Sequence, residues 1–257
     1  MSRNALIIAG FDPVAGAGLL MDIKVLTSAG VHASAIPTAL VIENTDVVKD
    51  VVPIKTHTIK KLIDISLTNT KMHGMKIGML YSKENINLVK DVINTYKLKN
   101  VVLDPVLVSS SGSKLLNDDA LKALYTLIPL CSIITPNIHE AKIITKINIE
   151  SKDDMIRAGK YFLNQGVPAV VIKGGHFIRK ATDLYMDKKQ HIFLKAKAIN
   201  KDVHGTGCIF SSAITAYLIK GYDTMEAVKN AKLLTSRYIK GSYKLSYNFK
   251  RYVGRAL

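Results

Sequence analysis

The stretch DVHGTGCIFSSA (202–213) contains residues whose types and spacing suit the binding and transfer of an anionic group. Gly205 and Gly207 allow a tight turn and a close approach of the backbone to a ligand. A helix that begins near Gly207 points its free N–H groups into that turn and favours an anion there. The same position stabilises a thiolate, which predicts a pKa for Cys208 below about 8.5 and a role in accepting a proton. From the residues alone, a small apolar cysteine that opens a buried helix is an equally good interpretation.

The two common nucleotide-binding motifs are missing from this sequence. It has no GxxxxGK[ST] stretch, and the two nearest matches to GxGxxG, namely GAGLLM and GTGCIF, lack the third glycine. A P-loop and a Rossmann-type dinucleotide site are therefore not supported.

The elements that must position the HGTGC turn alternate between strands and helices, which predicts an α/β fold with a mostly parallel sheet. Polar and glycine-rich clusters follow the predicted strands, and ligands bind beyond the carboxyl ends of such strands. The clusters therefore predict one site built from several loops. The predicted strands are 5–10, 33–42, 75–80, 100–108, 131–137 and 168–175 with a hairpin at 183–197, and the predicted helices are 17–30, 57–69, 83–96, 118–128, 151–166 and the C-terminal quarter.

Length, composition and charge narrow the class of protein. The 257 residues are enough for one large domain, and 48% hydrophobic residues predict a globular chain. No apolar stretch has the length of a signal peptide or a membrane span, and the two cysteines lack metal-binding spacing, which predicts a reducing, cytoplasmic location. A net charge of +16 favours anionic partners.

The last part of the chain is basic and aromatic. No acidic residue follows Glu226, and five tyrosine and phenylalanine residues alternate with lysines and arginines. This pattern predicts a solvated helix face with the aromatic rings turned inward. Its alternative is a surface that binds single-stranded nucleic acid, which would make the protein a nucleic-acid-binding protein.

Seven motifs in a fixed order resemble those of the hydroxymethylpyrimidine/phosphomethylpyrimidine kinases of thiamine biosynthesis, within the ribokinase-like superfamily. The resemblance implies one kinase domain over residues 1–257 with a three-layer α/β/α sandwich and a mostly parallel central sheet. It also implies ATP as co-substrate, Mg²⁺ as cofactor and a homodimer as one form of assembly. The motifs are AGFDPVAGAGLLMDIK (9–24), TALVIENT (38–45), KIGML (76–80), VVLDPV (101–106), ITPNIHEA (134–141), KGGH (173–176) and HGTGC (204–208).

The resemblance also implies roles for the residues around the phosphates. Cys208 is similar to the general base of the pyrimidine kinases, and the backbone of Gly205 and Gly207 to the part that holds the transferring phosphoryl group. Lys173 resembles a lysine that contacts the ATP phosphates. The remaining expected residues are Thr206 and Asn137 for the nucleotide, and Asp104 and Glu140 for the metal and its waters.

The substrate pocket is where this sequence departs from the family. Gly10, Asp12 and Met79 match the family's ring pocket, but Glu43 stands where the family has an amide side chain. An amide satisfies both the NH₂ donor and the ring-nitrogen acceptor of an aminopyrimidine. An ionised glutamate does so only if the ring or the carboxyl group carries a proton. The favoured substrate is 4-amino-5-hydroxymethyl-2-methylpyrimidine with its monophosphate, and the alternative is pyridoxal or pyridoxine.

Overall fold

The computed structural model describes residues 3–108, 115–116, 118–175, 182–195 and 199–255 of the chain. Within these ranges, strands and helices alternate along most of the sequence, as predicted. His176, the last residue of the KGGH motif, lies outside the described residues, as do the last residues of the predicted hairpin.

Nine strands in the described ranges form one sheet, with the order β3-β2-β1-β4-β5-β6-β7-β8-β9. The six strands from β2 to β7 in that order are parallel, and β3, β8 and β9 are antiparallel to their neighbours. The strands are β1 (Asn4–Phe11), β2 (His32–Glu43), β3 (Val48–Pro53), β4 (Gly74–Ile77), β5 (Val101–Leu103), β6 (Ile133–Ile134), β7 (Ala169–Ile172), β8 (Thr182–Asp187) and β9 (His191–Lys195).

Helices cover both faces of this sheet. The buried side chains of α2 to α6 pack on one face, and those of α1, α7 and α8 pack on the other. The helices are α1 (Gly18–Ser28), α2 (Thr56–Leu67), α3 (Lys83–Tyr96), α4 (Asp118–Leu127), α5 (Ile138–Thr145), α6 (Lys152–Asn164), α7 (Thr206–Ile219) and α8 (Thr224–Lys240). None of the helices in the described ranges combines the length and the apolar character needed to cross a bilayer.

The alternation of side chains along the strands explains the three layers. Val101 and Leu103 of β5 join the core beneath α2 to α6, whereas Val102 between them joins the core beneath α7 and α8. Because successive side chains of a strand point to opposite faces, a strand that is apolar at every position requires cover on both sides. The predicted α/β class and mostly parallel sheet are confirmed.

The C-terminal tail differs from the prediction of a helical C-terminal quarter. Helix α8 ends at Lys240, and in the tail that follows, β11 (Tyr252–Val253) pairs with β10 (Val203–His204) in a separate two-stranded sheet. The carboxylate of Asp46 accepts hydrogen bonds from the backbone N–H groups of Lys250 and Arg251. The ring of Tyr238 is buried, as predicted, but the ring of Tyr247 is fully exposed. The prediction that the aromatic rings turn inward is therefore correct only in part. The position of this acid-free segment is therefore fixed in part by Asp46, an acid distant in the sequence.

Candidate active site

One cavity of about 620 Å³ lies beyond the carboxyl ends of the parallel strands. The strands β1, β4, β5 and β7 each end beside it, so that residues distant in the sequence meet there. The structure brings all of the predicted site residues to the wall of this cavity: Gly10, Asp12, Glu43, Met79, Asp104, Asn137, Glu140, Lys173, Gly205, Thr206, Gly207 and Cys208.

The HGTGC turn packs against the loop that follows β1. Gly205 is the N-cap of α7 and has a φ of 77°, a conformation that L side chains rarely adopt. A β-carbon at Gly205 would collide with the carbonyl oxygen of Gly16 and approach the Cα atom of Ala17. The first intrahelical hydrogen bond runs from the Ile209 N–H to the Gly205 carbonyl, which leaves the earlier amides of α7 at the cavity wall.

We expect the substitution Gly205→Ala to destabilise the protein by about 2–4 kcal/mol, because it combines a left-handed backbone with a collision. The matched control is Gly221→Ala, since Gly221 has a φ of 94° and open space around its missing side chain. That control carries the backbone strain alone, about 1–2 kcal/mol. Urea unfolding of both variants checks the difference, and equal losses would mean that the close contact with Gly16 contributes nothing.

The environment of Cys208 corrects the prediction of a lowered pKa. Burial raises the pKa of the Cys208 thiol to about 12, and the carboxylates of Asp22 and Asp104 act in the same direction. The Lys76 ammonium and the Gly18 N–H oppose this shift. Burial and the two carboxylates therefore outweigh the Lys76 ammonium and the Gly18 N–H, and the pKa of the Cys208 thiol lies above its ordinary value rather than below it.

Lys173 and Asp104 form an ion pair in the cavity wall. The Lys173 Nζ atom lies 2.8 Å from the Asp104 Oδ1 atom, and the Ser211 hydroxyl donates to the Oδ2 atom at 3.2 Å. Burial alone would lower the pKa of Lys173, but the carboxylates of Asp104 and Glu140 outweigh burial and raise it. The charged lysine also lies close to Gly207, so it faces the same space as the first turn of α7.

Asn137 and Glu140 form a capping box at the start of α5. The Asn137 side chain accepts a hydrogen bond from the Glu140 N–H, and the Glu140 carboxylate accepts one from the Asn137 N–H at 2.8 Å. Burial raises the pKa of Glu140 to about 7, and the Asp104 carboxylate adds to this while Lys173 opposes it. The motif therefore starts a helix and also reaches the cavity.

The acids near the first turn of α7 suit Mg²⁺ held through water. Both oxygens of Asp104 and one oxygen of Glu140 already accept hydrogen bonds from the protein. Mg²⁺ takes few protein ligands and keeps several waters, so contacts through its waters fit these carboxylates better than a closed cage of side chains.

The part of the cavity around Met79 and Glu43 is shaped by the loop after β1. The Asp12 carboxylate accepts three backbone hydrogen bonds, from the N–H groups of Val14, Gly16 and Ala17, at 2.7 to 3.0 Å. Asp12 therefore fixes this loop besides lining the cavity. A β-carbon at Gly10 would lie 3.1 Å from the Met79 sulfur, so the glycine leaves room for that side chain.

Glu43 lies beside Asp12 and His204 in a cluster that the sequence did not predict. The His204 Nε2 atom lies 3.3 Å from the Asp12 Oδ2 atom and 3.9 Å from the Glu43 Oε2 atom. His204 is buried, and neither ring nitrogen makes a hydrogen bond with the described residues. Burial and the Asp12 carboxylate raise the pKa of Glu43 to about 7, against the opposing effect of His204 and Arg251.

A buried ion pair beneath Cys208 is a second feature that the sequence analysis missed. The Lys76 Nζ atom lies 2.7 Å from the Asp22 Oδ2 atom, and both side chains are fully buried. The Ser212 hydroxyl donates to the other Asp22 oxygen. Burial alone would lower the pKa of Lys76, but the surrounding acids outweigh burial and hold it above its ordinary value. The signal in the sequence was a lysine inside the apolar strand MKIGML (75–80), which requires a partner.

The sequence of this chain is similar to those of known kinases. Residues 12–253 match the family described as phosphomethylpyrimidine kinase. A hydroxymethylpyrimidine/phosphomethylpyrimidine kinase of Aquifex aeolicus is 36% identical over 249 residues, which cover 96% of this chain and 98% of the relative. A Staphylococcus aureus kinase of the same description is 34% identical and covers 92% of this chain and 88% of the relative.

Solved structures of two kinds of kinase are similar to this fold. A Bacillus subtilis pyridoxal kinase in complex with ADP has a TM-score of 0.90 and 33% identity, covering 100% of this chain and 98% of its own. A Staphylococcus aureus pyridoxal kinase in complex with AMP-PCP has a TM-score of 0.87 and 29% identity, covering 98% and 97%. A Clostridium difficile phosphomethylpyrimidine kinase has a TM-score of 0.81 and 37% identity, covering 91% and 98%.

Proposed function

Since the chain belongs to the phosphomethylpyrimidine kinase family, we propose that it transfers the γ-phosphoryl group of ATP to 4-amino-5-hydroxymethyl-2-methylpyrimidine and then to its monophosphate. The observation that carries the proposal is the cavity itself. It joins the first turn of α7, the Lys173–Asp104 pair and a ring pocket at Met79 and Glu43. The Bacillus subtilis and Staphylococcus aureus complexes with ADP and AMP-PCP support an adenine nucleotide as the second ligand.

Charge neutralisation is the main contribution that the residues offer to phosphoryl transfer. The transition state spreads negative charge over three phosphoryl oxygens, and positioned cations and amides stabilise it. Lys173 supplies the cation, and the amides from Thr206 to Cys208 supply the donors. Mg²⁺ bound with the nucleotide would neutralise further phosphate charge, and Asp104, Asn137 and Glu140 are the residues that would hold its waters.

Cys208 is proposed as the group that takes the proton of the substrate hydroxyl. This role requires the thiolate, whereas the thiol has a pKa of about 12 in the protein without ligands. The thiolate is favoured by the Lys76 ammonium on one side and by the Gly18 N–H. A base of this kind predicts a turnover number that rises with pH across the alkaline range.

A second candidate function is pyridoxal kinase. It is favoured by the similarity to the Bacillus subtilis pyridoxal kinase over the whole chain and by Glu43, whose carboxylate can accept a hydrogen bond from a phenolic hydroxyl. The two candidates share the phosphate end of the cavity and differ at the ring end.

The experiment that separates the candidates measures ADP release from Mg-ATP with the aminopyrimidine, its monophosphate and pyridoxal as separate substrates. Turnover with both pyrimidines supports the two-step kinase. Turnover with pyridoxal alone keeps the phosphate chemistry and reassigns the ring pocket, and no turnover with any substrate contradicts both candidates. Salt-dependent binding of a single-stranded oligonucleotide, measured beside these assays, tests the remaining alternative of a nucleic-acid-binding protein.

The proposal treats the chain as one kinase domain that spans residues 1–257. The family match over residues 12–253 supports this organisation. The two cores on either face of a single sheet also support it, since neither face is covered without helices from both halves of the chain.

A further inference from the structure

Three side chains at the ring end of the cavity share one small space. The ligand atoms of Asp12, Glu43 and His204 all lie within 4.8 Å of one another. Each residue comes from a different part of the chain: Asp12 follows β1, Glu43 ends β2 and His204 ends β10. The Glu43 and His204 side chains are both about nine-tenths buried, with 9% and 8% exposed. The fold therefore confines two acids and one imidazole at the wall where the ring would bind.

The hydrogen bonds distinguish the two acids. Both oxygens of Asp12 accept hydrogen bonds from backbone N–H groups, three in total. Among the described residues, Glu43 faces the Asp12 carboxylate, the His204 ring and the Arg251 guanidinium. A second ionised carboxyl group in this space would lie against the first one, and a buried carboxyl group in that position gains a proton more readily. Burial and Asp12 accordingly bring the pKa of Glu43 to about 7.

A protonated carboxyl group offers two different groups side by side. Its carbonyl oxygen accepts a hydrogen bond and its hydroxyl donates one. An aminopyrimidine edge offers the complementary pair, an NH₂ donor beside a ring nitrogen that accepts. A carboxylate can accept from the NH₂ group, but it meets the ring nitrogen lone pair without a hydrogen atom between them. The complex of Glu43 with this edge therefore needs one more proton than the separate ionised acid and neutral ring.

We propose that Glu43, held between Asp12 and His204, is the residue that selects the ring, and that it binds an aminopyrimidine edge as a neutral carboxylic acid. The inference deepens the proposed function and rests on it for the identity of the ring. At alkaline pH, Glu43 is ionised before the ring binds. Ring binding is then accompanied by the uptake of one proton from solution by Glu43. Affinity for the neutral ring is full where Glu43 is protonated and is lost as the pH rises through the range in which Glu43 ionises.

The test measures ring binding by calorimetry, with 4-amino-5-hydroxymethyl-2-methylpyrimidine as the probe, at about pH 6 and about pH 8.5. With a pKa of about 7, the protonated fraction of Glu43 falls by about 30-fold between these values, and the affinity for the neutral form of the ring is expected to fall by a similar factor. Repeating the titration at alkaline pH in two buffers with different heats of ionisation counts the proton directly. We expect about one proton taken up per ring.

Two controls isolate Glu43 from other effects of pH. The first is the variant Glu43→Gln, whose amide offers the donor and the acceptor at every pH, so its affinity is not expected to fall between pH 6 and pH 8.5. The second is 2-aminobenzyl alcohol, which has the NH₂ and hydroxymethyl groups but no ring nitrogen. Its binding to the unchanged protein is not expected to fall, because a carboxylate also accepts from NH₂. Thermal unfolding of the variant verifies that it is folded.

The outcomes separate this inference from the proposed function. A fall in affinity for the unchanged protein that Glu43→Gln abolishes supports the inference, provided that the infrared spectrum of the complex shows the C=O band of a protonated carboxyl group and Glu43→Gln removes it. The same fall without this band places the proton on the ring and overturns the inference. A fall of the same size in both proteins, or no fall in either, overturns it. If the ring binds with the expected pH dependence but ATP yields no ADP, the inference stands and the proposed kinase reaction fails. If the aminopyrimidine binds at neither pH, the inference is overturned.

Discussion

Replacing Cys208 with alanine is expected to lower kcat with the aminopyrimidine by about 10²–10⁴-fold, the range typical for loss of a positioned general base. The KM for ATP should change little, because the amides of α7 and the Lys173 side chain remain in place. The dependence on pH provides the sharper readout. Since the pKa of the thiol is about 12, kcat of the unchanged enzyme should increase with pH through the alkaline range, and the residual activity of Cys208→Ala should not.

Two further variants serve as controls for this prediction. Cys208→Asp places a stronger acid at the same position, so its base is already ionised at neutral pH, and kcat should recover in part and lose its alkaline rise. Cys131→Ala removes the other cysteine, which is buried and donates its S–H to the Leu127 carbonyl, and it should leave kcat unchanged. Equal pH profiles for the alanine variant at Cys208 and the unchanged enzyme would contradict the role of Cys208 as a base.

The substitution Lys76→Met is expected to reduce the free energy of unfolding by about 3–5 kcal/mol, because it leaves the Asp22 carboxylate buried without its cation. Only the Ser212 hydroxyl, among the described side chains, then donates a hydrogen bond to Asp22. An unpaired buried carboxylate escapes this cost by taking up a proton. The destabilisation should therefore be largest at neutral and alkaline pH and should decrease as the pH falls. Urea unfolding at several pH values measures both effects.

A double variant and a surface variant make this prediction specific. Lys76→Met combined with Asp22→Asn carries no buried charge at this position and should recover a large part of the lost stability. Lys60→Met removes an ion pair of similar length, 2.6 Å from Asp64, on the exposed face of α2 and should have no measurable effect. If Lys76→Met were as stable as the surface variant, the buried pair would not be a structural requirement.

The Lys76 pair also links stability to the chemistry of the site. The Lys76 ammonium is one of the two groups that oppose the high pKa of the Cys208 thiol. Its removal should raise that pKa further and move the alkaline increase of kcat to higher pH. A variant that is destabilised without this movement would give Lys76 a structural role alone.

Periodicity and turn residues determined the fold class from the sequence. Helix α3 (Lys83–Tyr96) has the predicted bounds, because apolar positions at helical spacing and the Ser82 cap are local features. The strand β3 was not predicted, since its position at the sheet edge leaves most of its residues exposed and its pattern weak. The tail after α8 was predicted as helix, because its partners Asp46 and Asp202 are distant in the sequence.

The candidate site, like the fold, was predictable from the sequence only in part. Polar clusters at strand ends predicted one shared site, because the carboxyl ends of parallel strands meet at one edge of a sheet. The resemblance to the kinase family supplied the individual residues, and all of them lie at one cavity. The sequence could not give the high pKa of Cys208, the pairing of Lys76 with Asp22, or the cluster of Glu43 with His204. The physical reason is that hydrophobic patterning depends on neighbours along the chain, whereas the cost of losing water and the attraction of charges depend on every group that the fold brings close.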